Sequence, residues 1–192
     1  GGLMLGIGAF ELGNIAATLL ILRATELLEP GRGLDEATQT ALLLYTGYNV
    51  AATAISIPAG HVGDRRGVVR VLAAGVLLFG VAYVLLALTG PSIGMLLAGF
   101  VAAGVGIGCV ETAEHAAVAA FAPGELRGSA FGLLAAVQSF GNLAASAIAG
   151  LLWTLVSPQA AFWYAAAWMA LGLAFIATRA RRDGSAPSAP AR

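Results

Sequence analysis

The chain has 192 residues, 59% of them hydrophobic and 10% charged, with a mean hydropathy of +0.86. Soluble domains are about 45–50% apolar and about 25% charged, so a soluble globular class is excluded. Ten acidic residues balance ten basic ones, all arginine, which removes the basic field that nucleic-acid binding needs.

Long apolar runs with charges grouped between them indicate an all-α integral membrane protein with six transmembrane helices. In chain order the spans are predicted over about Leu3–Ala24, Thr38–Ala59, Val68–Leu88, Ser92–Ala119, Leu126–Trp153 and Gln159–Thr178. Each is close to or above the roughly 20 residues that cross a hydrocarbon core. Continuous apolar runs without two-residue alternation favour helices over a barrel. Residues 1–178 are expected to form one bundle and residues 179–192 a cytoplasmic tail, disordered in its Ser/Ala/Pro-rich part from Gly184. Cys109 lies alone in an apolar run, and the Gly1-Gly2 start without methionine is expected of a fragment or a processed chain.

Arginine sets the orientation. Arg65, Arg66 and Arg70 lie between the second and third spans, Arg127 between the fourth and fifth, and Arg179, Arg181 and Arg182 after the sixth. Arg23 and Arg32 lie on the opposite side among Glu26, Glu29, Asp35 and Glu36. The positive-inside rule then places both chain ends in the cytoplasm, with Trp153, Trp163 and Tyr164 at the outer interface.

An ionisable side chain near the bilayer centre costs about 2.5–3.5 kcal/mol on the insertion scale, so each one asks for a reason. Glu11 is near the middle of the first span, and Asn14 and Thr18 follow at helical spacing on its face. That face reads either as a wet cavity wall for substrate or proton, or as an interhelical hydrogen bond. Tyr45, Tyr48, Asn49, Thr53 and Ser56 form a stripe on the second span; Gln138, Ser139, Asn142 and Ser146 form one on the fifth. Such stripes line a packed contact or a water-filled path, and their recurrence on three spans favours a shared cavity.

The fourth span carries Glu111, Glu114 and His115 after Gly104, Gly106 and Gly108. One histidine beside two glutamates is a weak ligand set, so no metal and no cofactor is expected. Counting about 1.5 Å per residue from Val105 puts Glu111 roughly 9 Å and Glu114 roughly 13 Å toward the cytoplasm. Glu111 is therefore the better proton site, and Glu114 is expected in a cytoplasmic gate or an ion-pair network. The glycine string has no preceding strand and reads as close helix packing, not as a nucleotide loop.

Between the second and third spans the chain reads Gly60-His61-Val62-Gly63-Asp64-Arg65-Arg66-Gly67-Val68-Val69-Arg70. This resembles the signature loop of the major facilitator superfamily, Gly-x-x-x-Asp-Arg-x-Gly followed by basic residues. Glu125-Leu126-Arg127-Gly128-Ser129-Ala130-Phe131-Gly132 looks like the start of that family's eleventh helix. Phe10, Leu12, Gly13 and Asn14, with Leu22-Arg23-Ala24, are similar to its seventh. The resemblance implies the C-terminal six-helix half of a twelve-helix transporter, with the N-terminal half missing from this chain. It also implies that the first and fourth spans line the central cavity, so Glu11, Asn14, Glu111 and His115 are expected there, with Thr18, Gln138 and Asn142 beside them.

The family's loop aspartate docks on a helix N-terminus of the opposite half, which implies a cytoplasmic gate made by Gly60, Asp64, Arg65, Gly67 and Arg70 with Glu114 and Arg127. Val68 and Val69 depart from the family's basic pattern, and Phe100 stands where the family's fourth-helix arginine would align.

The function expected is secondary active transport of a small solute by alternating access, coupled to protons and with efflux preferred, in a bacterial cytoplasmic (inner) membrane. Alternatives are a half-transporter pairing with itself and a non-transporting membrane subunit. An intramembrane enzyme is disfavoured: there is no Gly-x-Ser-Gly nucleophile, and Asp35, Asp64 and Asp183 are scattered rather than grouped.

Overall fold

The computed structural model describes residues 2–184. The described chain is helical throughout apart from short joints: α1 (Gly2–Gly13), α2 (Ala17–Arg32), α3 (Leu34–Arg66), α4 (Val68–Leu88), α5 (Ile93–Phe121), a 3-10 turn (Gly124–Leu126), α6 (Arg127–Leu155) and α7 (Pro158–Gly184). α1 and α2 together make one membrane span, so the helices make six. The chain is an integral membrane protein.

Span number and order agree with the hydropathy pattern, while three details differ. α3 has 33 residues, about 50 Å at 1.5 Å per residue, well beyond a hydrocarbon core of about 30 Å. The stretch from Gly60 to Arg66, expected as a loop, is the last two turns of this helix. The reversal into α4 is made by Gly67 alone, whose φ of 93° suits a residue without a Cβ. At the other end of the chain, α7 runs on to Gly184, beyond the expected Thr178 boundary, because alanine and arginine extend a helix readily. Residues 185–192, most of the tail expected to be disordered, lie outside the described residues.

The third difference is in the first span, which is not one helix. The backbone leaves helical geometry at Asn14, Ile15 and Ala16. In lipid the freed peptide groups need partners inside the protein, since each one left bare costs several kcal/mol. They find them. The Ile15 N–H donates to the Tyr83 hydroxyl (3.3 Å) and the Ala16 N–H to Ser146 Oγ (2.8 Å). Asn142 Nδ2 donates to the Asn14 carbonyl and the Tyr164 hydroxyl to the Leu12 carbonyl, both at 2.8 Å. Side chains from α4, α6 and α7 thus hold the break open.

The core is built on α4, where Leu72, Val76, Phe79, Tyr83 and Leu86 are buried. Aromatic contacts run outward from it: Phe10 to Phe79 at 5.6 Å between ring centres, Phe79 to Tyr83 at 5.2 Å, Tyr83 to Phe162 at 6.1 Å. α4 and α5 approach at backbone distance. A Cβ added to Gly75 would lie 2.8 Å from the Gly106 carbonyl oxygen, and one added to Gly106 3.0 Å from the Gly75 oxygen. Gly104 and Gly108, on another face of α5, meet the α3 backbone at Tyr48 and Ala52. The glycine string therefore packs two neighbours at once. At the far end from Gly67, the buried Arg23 donates from Nε to the Leu86 carbonyl (3.3 Å), one of the last α4 carbonyls, and Trp153 donates to Glu26 (3.2 Å).

Coverage is uneven. In the most apolar stretch of α3 and of α6, 11% of residues are buried, against 50% in α4 and α5. Two long helices thus present most of their surface outward.

Ser146→Ala removes the acceptor for the Ala16 N–H without changing the shape of α6. It is expected to destabilise the protein by about 1–3 kcal/mol, the penalty of an orphaned buried donor. Thr154→Ala loses a hydroxyl that bonds only carbonyls of its own helix and is expected to stay within about 0.5 kcal/mol. Thermal unfolding of the purified variants in detergent measures both.

Candidate functional site

Polar side chains of α1, α5 and α6 meet at an open cavity of about 270 Å³, lined among others by Glu11, Asn14, Glu111, Glu114, Gln138, Ser139 and Asn142. Each helix brings its residues by a local feature. Glu11 stands one turn before the break in the first span, and α6 reaches it closely: a Cβ on Gly141 would lie 2.5 Å from Glu11 Cβ. Gln138 and Asn142 are one turn apart on α6 and flank that contact. Glu111 and Glu114, three apart on α5, turn toward the same space.

The carboxylates differ in setting. Glu111 is exposed on the cavity wall. Glu11 is 3% exposed, and its nearest polar partner is Asn14 Nδ2 at 3.5 Å, the outer limit of a hydrogen bond. Glu114 is 2% exposed; Gln138 Nε2 donates to its Oε2 at 2.7 Å, while its Oε1 is buried with no hydrogen-bond partner among the described residues. A buried carboxylate oxygen without a donor is an unfilled demand for a proton, a cation or an N–H group.

Of the residues expected in the cavity, the structure brings together Glu11, Asn14, Glu111, Gln138 and Asn142. Thr18 is not among them. The three-residue break changes the phase between Glu11 and Thr18, so helical spacing no longer puts them on one face, and Thr18 is exposed. His115 is also outside the lining: it is exposed, donates from Nδ1 to the Glu111 carbonyl (2.7 Å) and stacks on Phe131 at 5.8 Å. The α3 stripe does not join either. Asn49, Thr53 and Ser56 bond carbonyls of their own helix. Glu114 moves the other way, from an expected gate position to the cavity wall. Depth along an axis says nothing about which neighbour a side chain meets, and here Gln138 crosses it.

Of the remaining gate residues, Asp64, Arg65, Gly67 and Arg70 lie at the reversal from α3 into α4. Asp64, Arg65 and Arg70 are exposed around the Gly67 turn, and among the described residues none of them forms an ion pair. A Cβ added to Gly60 would lie 3.9 Å from Thr112 Cγ2 of α5, and Arg127 is exposed at the first residue of α6. No group of three or more His, Cys, Asp or Glu side chains converges to hold a metal ion among the described residues.

The sequence is 31% identical over 157 residues to an uncharacterized MFS-type transporter of Methanocaldococcus jannaschii, covering 81% of this chain and 38% of that protein. It is 38% identical over 119 residues to the gentisate transporter of Corynebacterium glutamicum, covering 60% of this chain and 26% of the relative. The chain thus matches well under half the length of either. The family model of the Major Facilitator Superfamily matches residues 3–192, nearly the whole sequence and all six spans. With six helices in the expected order and the Gly60–Arg70 signature at the turn between the second and third spans, the chain belongs to the major facilitator superfamily.

Proposed function

We propose that this chain is the C-terminal half of a twelve-helix secondary transporter that moves a small solute by alternating access, coupled to protons and working in efflux. The observation that carries the reading is the cavity itself: three carboxylates and three side-chain amides, brought by the first span, α5 and α6, face one open space inside a membrane bundle. Ionisable groups at that depth mark solute or proton paths, and a merely structural role would leave each one paired. The family and the transporter relatives support membrane transport of a small molecule. The sparsely covered faces of α3 and α6 support a second six-helix bundle as the missing partner.

In this scheme the two halves rock about the cavity. Glu11 and Glu114 take up and release the coupling proton, and Glu111 on the open wall passes it to water. Asp64 docks at a helix N-terminus of the other half and favours the state closed on that side. Arg127, at the start of α6, marks the equivalent receiving end in this half. The arginine pattern supports a cytoplasmic C-terminus.

The complete transporter in proteoliposomes is expected to move solute from a panel that includes gentisate when a pH gradient is imposed, and to stop when a protonophore collapses the gradient. Glu114→Gln is expected to slow gradient-driven flux roughly 10–100-fold, the equivalent of about 1.5–3 kcal/mol for one charged hydrogen-bonding group. Flux indifferent to the gradient removes the coupling, and an unchanged Glu114→Gln variant removes this residue from it.

Asp64→Asn is expected to insert normally and to lose about two- to fivefold in transport rate, the scale of one charge–dipole contact of about 0.3–1 kcal/mol. Transport rates compared at equal membrane amounts measure it. Unchanged turnover refutes the docking role.

A further inference from the structure

Away from the cavity, to whose lining α4 contributes no residue, that helix carries a stripe of another kind. Arg70, Ala74, Leu77 and Val81 follow one another at helical spacing, and all four are exposed. From Arg70 to Val81 the rise is roughly 16 Å, about half of a 30 Å hydrocarbon core, so the stripe runs the depth of one leaflet.

Beside the stripe lies α7. The two helices run antiparallel: Tyr83 meets Phe162 at 6.1 Å between ring centres, while a Cβ on Gly80 would lie 3.2 Å from Met169 Cβ. Their seam holds an apolar groove of about 310 Å³, lined by Leu77, Gly80 and Val81 of α4 and by Met169, Ala170 and Leu173 of α7, among others. Ten residues back from Gly80 along α4 is Arg70, and ten residues on from Met169 along α7 is Arg179, so the two stand at one level.

Charge at that level is one-sided. Arg65, Arg66 and Arg70 around the Gly67 turn, and Arg179, Arg181 and Arg182 in the last turns of α7, are offset only by Asp64 and Asp183 in the same two segments. Arg70 forms no ion pair among the described residues, so its planar guanidinium stands at the head of an apolar stripe without an anion. A phosphate matches that fork with two parallel N–H bonds.

We propose that the α4–α7 seam holds one phospholipid with an anionic headgroup. Its phosphate accepts N–H bonds from Arg70, and one acyl tail lies along Leu77 and Val81 into the groove. Charge complementarity selects this occupant. An apolar helix seated on the seam would leave Arg70 without an anion, and a zwitterionic lipid would bring a cation into a patch already rich in arginine. The seam is apart from the faces of α3 and α6 that the transport reading assigns to the other half, so the site stands independently of that reading.

The complete purified transporter is exposed to equal amounts of phosphatidylglycerol and phosphatidylcholine with the same acyl chains, and retained lipid is counted by native mass spectrometry. Phosphatidylglycerol is expected to be retained in preference. Arg70→Gln is expected to cut the preference about fivefold, the effect of one arginine at an anionic surface. Leu77→Trp, which fills the seam at an exposed position, lowers phosphatidylglycerol retention severalfold. Arg32→Gln, at the opposite end of the bundle and paired with Glu36, leaves it unchanged. No preference in the unaltered protein, or an equal loss in the Arg32 and Arg70 variants, overturns the site. A preference that survives Arg70→Gln overturns the headgroup contact. Unchanged retention in Leu77→Trp, a variant with no buried group to disturb, overturns the seat of the tail.

Discussion

Inside a bilayer a peptide group has no water to fall back on, and the broken first span is where this chain meets that constraint most sharply. Asn14, Ile15 and Ala16 leave helical geometry, and Tyr83, Asn142, Ser146 and Tyr164 supply what the lost turn would have bonded. The consequence reaches the cavity. Glu11 sits at the end of α1 because α1 stops there, and Asn142 both bonds the Asn14 carbonyl and lines the space that Glu11 faces. Backbone satisfaction and ligand geometry share the same atoms, so a change that repairs the helix would also move the carboxylate.

Packing gives the bundle a rigid side and an open one. The Gly75–Gly106 contact brings α4 and α5 together at backbone distance, and rings from Phe10 to Phe162 tie α1, α4 and α7 to one another. α3 and α6 have no comparable cover on most of their surface. Glu114 belongs to the well-packed α5, and its hydrogen-bond partner Gln138 belongs to the sparsely covered α6. The Gln138–Glu114 hydrogen bond thus joins the sparsely covered side of the bundle to its well-packed side at a buried carboxylate.

Much of this was legible in the sequence. Apolar run lengths gave all six spans in order, and Val68–Leu88 was located to the residue because Gly67 and Thr89-Gly90-Pro91 bracket it. Intramembrane polarity marked five of the residues that line the cavity. The helix break was not legible: Gly13-Asn14 is its only local signal, and the groups that stabilise it come from 68 to 152 positions away in the chain. Thr18 was misplaced by the same break. The two ends of α3 exceeded their apolar run because Leu34–Ala37 and Gly60–Arg66 are helix without being hydrophobic, and hydropathy reports lipid, not hydrogen bonding. Glu114 was read by depth alone, whereas its surroundings depend on where Gln138 falls across the helix interface.

The claim on which the rest depends is that the carboxylate-lined space is wet. Single cysteines at Glu111 and Ser139, on the cavity wall, and at Val81, on the apolar outer face of α4, test it in the complete transporter with Cys109 replaced by serine. A membrane-impermeant charged thiol reagent applied to membranes open on both sides should modify positions 111 and 139 quickly and leave position 81 untouched. Equal inertness at all three positions would mean that the acids face acyl chains, and the cavity would not be a solute path.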